Sequence, residues 1–105
     1  MKVLAISHDR AGAGEADFKP HLRAEAAYVY GLYQNDIIRE IYFEKDGPAA
    51  VIVLEAKDVD EARAALNGLP LVRNQLITFE FIPLIPYTGF ARLFTRPDGS
   101  EGQKG

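Results

Sequence analysis

The 105-residue sequence contains no cysteine, no tryptophan, one methionine and two histidines. Without cysteine there are no disulfides, thiolate metal sites or cysteine nucleophiles. Neither histidine has a carboxylate at ligand spacing, and a metal site needs three or more convergent ligands, so no metal is expected. Charge of one sign is also scarce. Twelve Lys and Arg face fifteen Asp and Glu, a formal net charge of −3 that argues against a dedicated nucleic-acid binder. No long apolar run is present: Val3-Leu4-Ala5-Ile6 stops at Ser7-His8-Asp9, too short for a signal sequence or a membrane span. A soluble, cytoplasmic protein is expected. Ala11-Gly12-Ala13-Gly14 lacks the lysine and spacing of a phosphate loop, and there is no dinucleotide-binding fingerprint. Ser7, His8 and Asp9 are neighbours that a strand splays apart, so they form no triad.

What remains is an ordinary globular balance, 48% hydrophobic and 26% charged, in a chain long enough for one core. Lys2 to His8 predicts a first strand. Phe18, Leu22, Ala26, Val29 and Tyr33 recur at three- and four-residue spacing and predict a helix, with Asp17 as its cap and Pro20 in its first turn. Ile37 to Phe43 predicts a second strand, Asp46-Gly47 a turn, and Ala49 to Leu54 a third strand that is apolar at both parities. Asp58 and Glu61 open a second helix, which Gly68 and Pro70 stop. Leu76 to Ile82 predicts a fourth strand. The order β-α-β-β-α-β is the ferredoxin-like α+β pattern: a four-stranded antiparallel sheet, strand order 4-1-3-2, with both helices on one face. Pro83 to Phe94 reads as a C-terminal arm of the domain spanning 1–94, and 95–105 as a disordered tail.

Two helices cover one sheet face only. The other carries alternate apolar residues of several strands, a large patch for a monomer to expose. The expected remedy is a homodimer with two sheets packed face to face, each aromatic arm reaching across to the partner.

Ile38-Arg39-Glu40-Ile41-Tyr42, the helix-ending Leu69-Pro70-Leu71-Val72 and the run Phe81-Ile82-Pro83-Leu84-Ile85-Pro86-Tyr87 resemble the dimeric α/β-barrel superfamily. Within it the chain is most similar to the muconolactone-isomerase-like and YCII-related small proteins, over residues 1 to 94. The resemblance implies a homodimer and, as one activity among several in the superfamily, cofactor-independent isomerisation of a lactone or related carboxylated compound. Fold transfers across such a superfamily more readily than function.

Several residues have the chemistry for this. His8, at the end of the first strand and near a helix start, can exchange protons near neutral pH. Strand alternation places Glu40 and Tyr42 with Ile38 on one face and Arg39 with Ile41 on the other. Glu40 and Tyr42 are candidates for proton transfer with His8, and Arg39 for clamping a carboxylate or for an ion pair with Glu55 or Glu80. Tyr28 on the first helix and Tyr87 in the arm are candidates for lining a pocket for a small apolar or aromatic carboxylated molecule. A non-catalytic homodimer that binds such a ligand is the alternative. Cofactor-independent oxygenation is weaker, because the sequence lacks the tryptophan that such sites in the superfamily often use.

Overall fold

In the computed structural model, which describes residues 1–96, strand β1 runs from Lys2 to Asp9. Val3, Ala5 and Ser7 are buried on one side of it, while Leu4 and Ile6 are half-covered on the other. A short helix α1 (Glu15–Phe18) follows, then one 3-10 turn and helix α2 (Leu22–Gln34). Strands β2 (Ile38–Phe43) and β3 (Ala50–Glu55) form a hairpin, helix α3 spans Val59–Asn67 and helix α4 Pro70–Arg73. Strand β4 (Ile77–Leu84) closes the sheet, and Gly89–Phe94 coils as a 3-10 turn in the arm.

The sheet order is β2-β3-β1-β4 with antiparallel pairing throughout, the ferredoxin-like arrangement expected from the pattern. Val3 pairs with Leu54 and Ala5 with Ile52, so these four share the face that the helices cover. Leu66 of α3 and Leu69 join Ala5, Ile38, Ile52 and Leu54 in one core, against which Val29 and Leu32 of α2 pack. Leu4, Ile6, Val51 and Val53 occupy the opposite, open face.

The ends of the elements differ from expectation in instructive ways. Gly14, not Asp17, is the N-cap residue; Asp17 sits three residues in, where its carboxylate accepts the Gly14 N–H at 2.8 Å. Asp58 does cap α3, accepting the Glu61 N–H at 2.8 Å. Asp58→Ala is expected to lower stability by about 1 kcal/mol, read from the midpoint of urea unfolding. Pro70 opens α4 instead of merely ending α3, because a first-turn proline forfeits no helical hydrogen bond. Both α2 and α4 stop through a left-handed residue, Asp36 (φ 62°) and Gln75 (φ 60°). Each stop is fixed by a six-residue closing bond, Ile37 N–H to Leu32 O and Leu76 N–H to Leu71 O.

One correction bears on the site. Ile38 opposes Leu54 and Glu40 opposes Val53, so Arg39 is an extra residue, a β-bulge, in β2. The bulge resets the alternation. Ile38 and Ile41 face the helices, whereas Glu40 and Tyr42 face the open side, so Ile38 does not share their face. Residues 97–105, most of the segment expected to be disordered, lie outside the described residues.

Candidate functional site

The helix side of the sheet is not filled. Between α2 and the β1, β2 and β3 ends near Asp9 and Phe43 lies a cavity of about 1010 Å³, at the upper limit of ordinary ligand sites. Phe18, Leu22 and Val29 contribute apolar wall from the first helical stretch, and Ile41, Ile52 and Phe79 from the sheet. The small side chains Ala26 of α2 and Ser7 and Ala50 of the sheet are among the lining residues.

Two polar side chains sit within this apolar wall. Ser7 is buried, and its Oγ accepts the Ala50 N–H at 2.7 Å, tying β1 to the start of β3. Glu25 of α2 is half-buried, and one carboxylate oxygen accepts the Leu71 N–H at 3.0 Å. Burial pushes the Glu25 carboxyl above its ordinary value of 4.5; the Leu71 hydrogen bond and the nearby His21 charge oppose the rise without cancelling it. A carboxyl held in an apolar cavity with a raised pKa is equipped to take up and return protons.

Sequence signals for both were present. Ser7 shares the parity of Val3 and Ala5, a polar residue at an inward strand position. Glu25 follows Leu22 by three and precedes Val29 by four, a carboxylate on an apolar stripe. Each deviates from the hydrophobic pattern at a place where burial demands a reason.

Glu40 and Tyr42 border the mouth of the cavity at the β2 edge, as does Arg39. The Tyr42 hydroxyl donates to Glu40 at 2.7 Å, and this bond to a carboxylate raises the Tyr42 pKa above 10.0 and keeps the phenol protonated. Arg39 Nε donates to the Asp36 carbonyl at 2.7 Å. Among the described residues Arg39 forms no ion pair. Glu55, one of its expected partners, instead meets the Met1 amino group at 2.8 Å and the Lys2 ammonium at 3.6 Å.

The other candidates lie elsewhere. His8 opposes Thr78 on the open face. It shares that face with Tyr42 but lies two strands across and one pleat further along, roughly 12 Å by strand geometry. Tyr28 packs its hydroxyl over Gly68, where any larger side chain would collide with it, and is outside the cavity wall. Tyr87 stacks edge-on against Phe90 in the arm, ring centroids 4.9 Å apart. Among the described residues no cluster of His, Asp and Glu could hold a metal ion, and no helix is long and apolar enough to cross a membrane.

Neither a family model nor a curated protein matches the sequence. Among solved structures the chain is similar to 5-chloro-2-hydroxyhydroquinone dehydrochlorinase from Burkholderia phenoliruptrix, in its complex with 2,5-dihydroxybenzoquinone. The TM-score is 0.68 at 18% identity, covering 85% of this chain and 98% of that one. At that identity the likeness speaks to architecture: an α+β, ferredoxin-like fold.

Proposed function

We propose that the protein is a cofactor-independent proton-transfer enzyme of the isomerase type, similar in action to muconolactone isomerases. Its substrate would be a small, flat carbonyl compound bearing an acidic group, a lactone or a hydroxylated ring. The observation that carries this reading is Glu25, a half-buried carboxyl with a raised pKa in a mostly apolar cavity. The ionised carboxylate takes a proton from carbon next to the substrate carbonyl, and the C–H electron pair moves into an enolate. The carboxylic acid thus formed returns the proton at another carbon of the conjugated system, so the double bond shifts and nothing is consumed. Low polarity around Glu25 strengthens it as a base and excludes competing water. Arg39, at the mouth, supplies a cation for the substrate's acidic group.

The neighbouring dehydrochlorinase, named for removing HCl from a hydroxylated ring, supports a substrate of that shape. His8, Tyr28 and Tyr87 stand apart from the cavity within one chain, so any part they take needs a second chain. Such a chain is proposed to pack on the open face, where Leu4, Ile6, Val51, Val53 and Ile82 form an apolar patch.

The test is proton exchange. Wild-type protein incubated in D2O with unsaturated lactones and with hydroxylated quinones is expected to place deuterium on carbon of at least one compound, read by NMR. Binding without exchange or conversion across the panel would favour the non-catalytic ligand carrier instead.

A further inference from the structure

Along the inward side of β1 the sheet passes from closed core to cavity. Val3 and Ala5 are fully buried, Ser7 is 4% exposed, and Asp9 stands at the rim. Ser7 is the one buried polar residue among the described residues, and it lines the cavity beside Ala50 and Phe79. The pairing of β1 with β3 ends at Ile6 and Val51, and just beyond it the Ser7 Oγ accepts the Ala50 N–H at 2.7 Å. That bond occupies a lone pair and leaves the hydroxyl proton unused, because a serine oxygen both accepts and donates. Among the described residues the hydroxyl donates to no protein acceptor. A buried donor without a partner is costly, and the space that Ser7 faces is the cavity.

Its surroundings exclude Ser7 as a nucleophile or base. The Oγ holds a backbone N–H instead of a histidine or carboxylate able to take its proton, and His8 faces the opposite side of the sheet. What remains is donation. The charged groups lining the same cavity are Glu25, Asp9, Glu40 and Arg39. The three carboxylates repel a developing negative charge, and Arg39 lies at the mouth on the edge strand. From β1 to β2 is two strand spacings, about 10 Å. The lining tyrosines, Tyr30, Tyr33 and Tyr42, are all exposed. In the buried part of the cavity Ser7 is therefore the side-chain donor that an oxygen atom meets.

We infer that the Ser7 hydroxyl donates a hydrogen bond to the substrate's carbonyl oxygen and holds the negative charge that collects there when Glu25 takes a proton from the adjacent carbon. The proton stays on Ser7 Oγ; the bond strengthens as the oxygen becomes anionic. The Ala50 N–H already fixes the position of Oγ, so little reorganisation accompanies the reaction. The same placement narrows the ligand class. The acceptor oxygen sits on the central strand and the acidic group at Arg39, so the two occupy opposite ends of a flat ring. The inference rests on reading the cavity as the ligand site with Glu25 as its base, and its test separates the failure of one from the failure of the other.

The probe is 4-nitrophenolate, a flat ring with an anionic oxygen at one end; 4-nitrotoluene, with a methyl group in place of that oxygen, is the uncharged control. Equilibrium dialysis measures the binding of both to Glu25→Gln protein, which lacks the carboxylate that would repel the anion. The same measurement is made on Glu25→Gln protein that also carries Ser7→Ala, at one salt concentration and a pH at which the probe is ionised. Asp9, Glu40 and Arg39 act alike in both proteins, so the difference isolates Ser7. Ser7→Ala is expected to weaken phenolate binding by about 10- to 100-fold, the scale of a hydrogen bond to a charged group, and to leave 4-nitrotoluene near its parent affinity. Because Ser7→Ala also strips the Ala50 N–H of its acceptor, Ser7→Cys serves as a second variant. Its sulfur still accepts that N–H, but a thiol is a weak donor, so the same selective loss is expected. An equal loss of both probes, or no loss of either, would overturn the role of Ser7 and leave the cavity as the ligand site. Failure of both probes to bind any of these proteins would overturn the reading of the cavity itself, and the inference with it.

Discussion

Glu25→Gln is expected to lower proton-transfer turnover by about 10²- to 10⁴-fold while leaving ligand affinity near wild type. The change is nearly isosteric, and the amide carbonyl can still accept the Leu71 N–H, so α2 and α4 keep their tie. What is lost is a group able to bind and release a proton. Wild-type activity should rise with pH as Glu25 ionises. That rise should begin above the usual carboxylate range, because burial lifts its pKa. The variant should lose this limb altogether. Stability gives an independent check. A raised folded-state pKa means the folded protein holds the proton more tightly than the unfolded chain. The associated stability is fully present below the unfolded value near 4.5 and is lost as pH rises through the folded one. Wild type should therefore lose stability relative to Glu25→Gln across that window, measured by urea unfolding at a series of pH values. Retained turnover in the variant would remove Glu25 from the chemistry. A flat difference in stability would mean that its carboxyl is not held as its burial implies.

Leu66→Ala should produce the largest loss of stability, about 2–5 kcal/mol. Leu66 is fully buried on α3, in the cluster formed with Ala5, Ile38, Ile52, Leu54 and Leu69. Removing it deletes the principal contact that seats α3 on the sheet and leaves a void the rigid sheet cannot close. Against a domain stability of roughly 5–15 kcal/mol, such a loss should move the urea midpoint far downward without changing the slope. Ile52 and Leu69 of that core also line the cavity, so ligand binding by the variant should weaken along with its stability. A loss under about 1 kcal/mol would mean that α3 is not fastened by this core.

The topology was legible because each element announces its own period. Leu22, Ala26 and Val29 repeat with a helix, and Ile77, Phe79 and Phe81 with a strand; the Asp58–Glu61 signature marks the start of α3. Local chemistry, repeated along the chain, suffices for element type and order. The site was much less legible. The extra residue at Arg39 carries no mark of its own, since an arginine in an edge strand looks the same whether or not it is bulged. Yet that one residue turns Ile38 and Glu40 to opposite faces. His8 was singled out by residue type and by its place at a strand end, but parity puts it with Leu4 and Ile6, away from the helices. Ser7 and Glu25, which do reach the cavity, were visible only as breaks in an apolar pattern.

By itself, then, the sequence determined the strands, the helices, their order and the presence of two apolar sheet faces, since these follow from spacing and from interactions within a few residues. It also excluded thiol chemistry, through the absence of cysteine. Only the tertiary structure decided which face the helices take and where they fail to fill it. That choice depends on side-chain volumes from α2, β1 and β3 meeting across the layer, a sum that no local pattern contains. It left a void under α2, put Glu25 in it, and set the aromatic arm apart from the chain's own body.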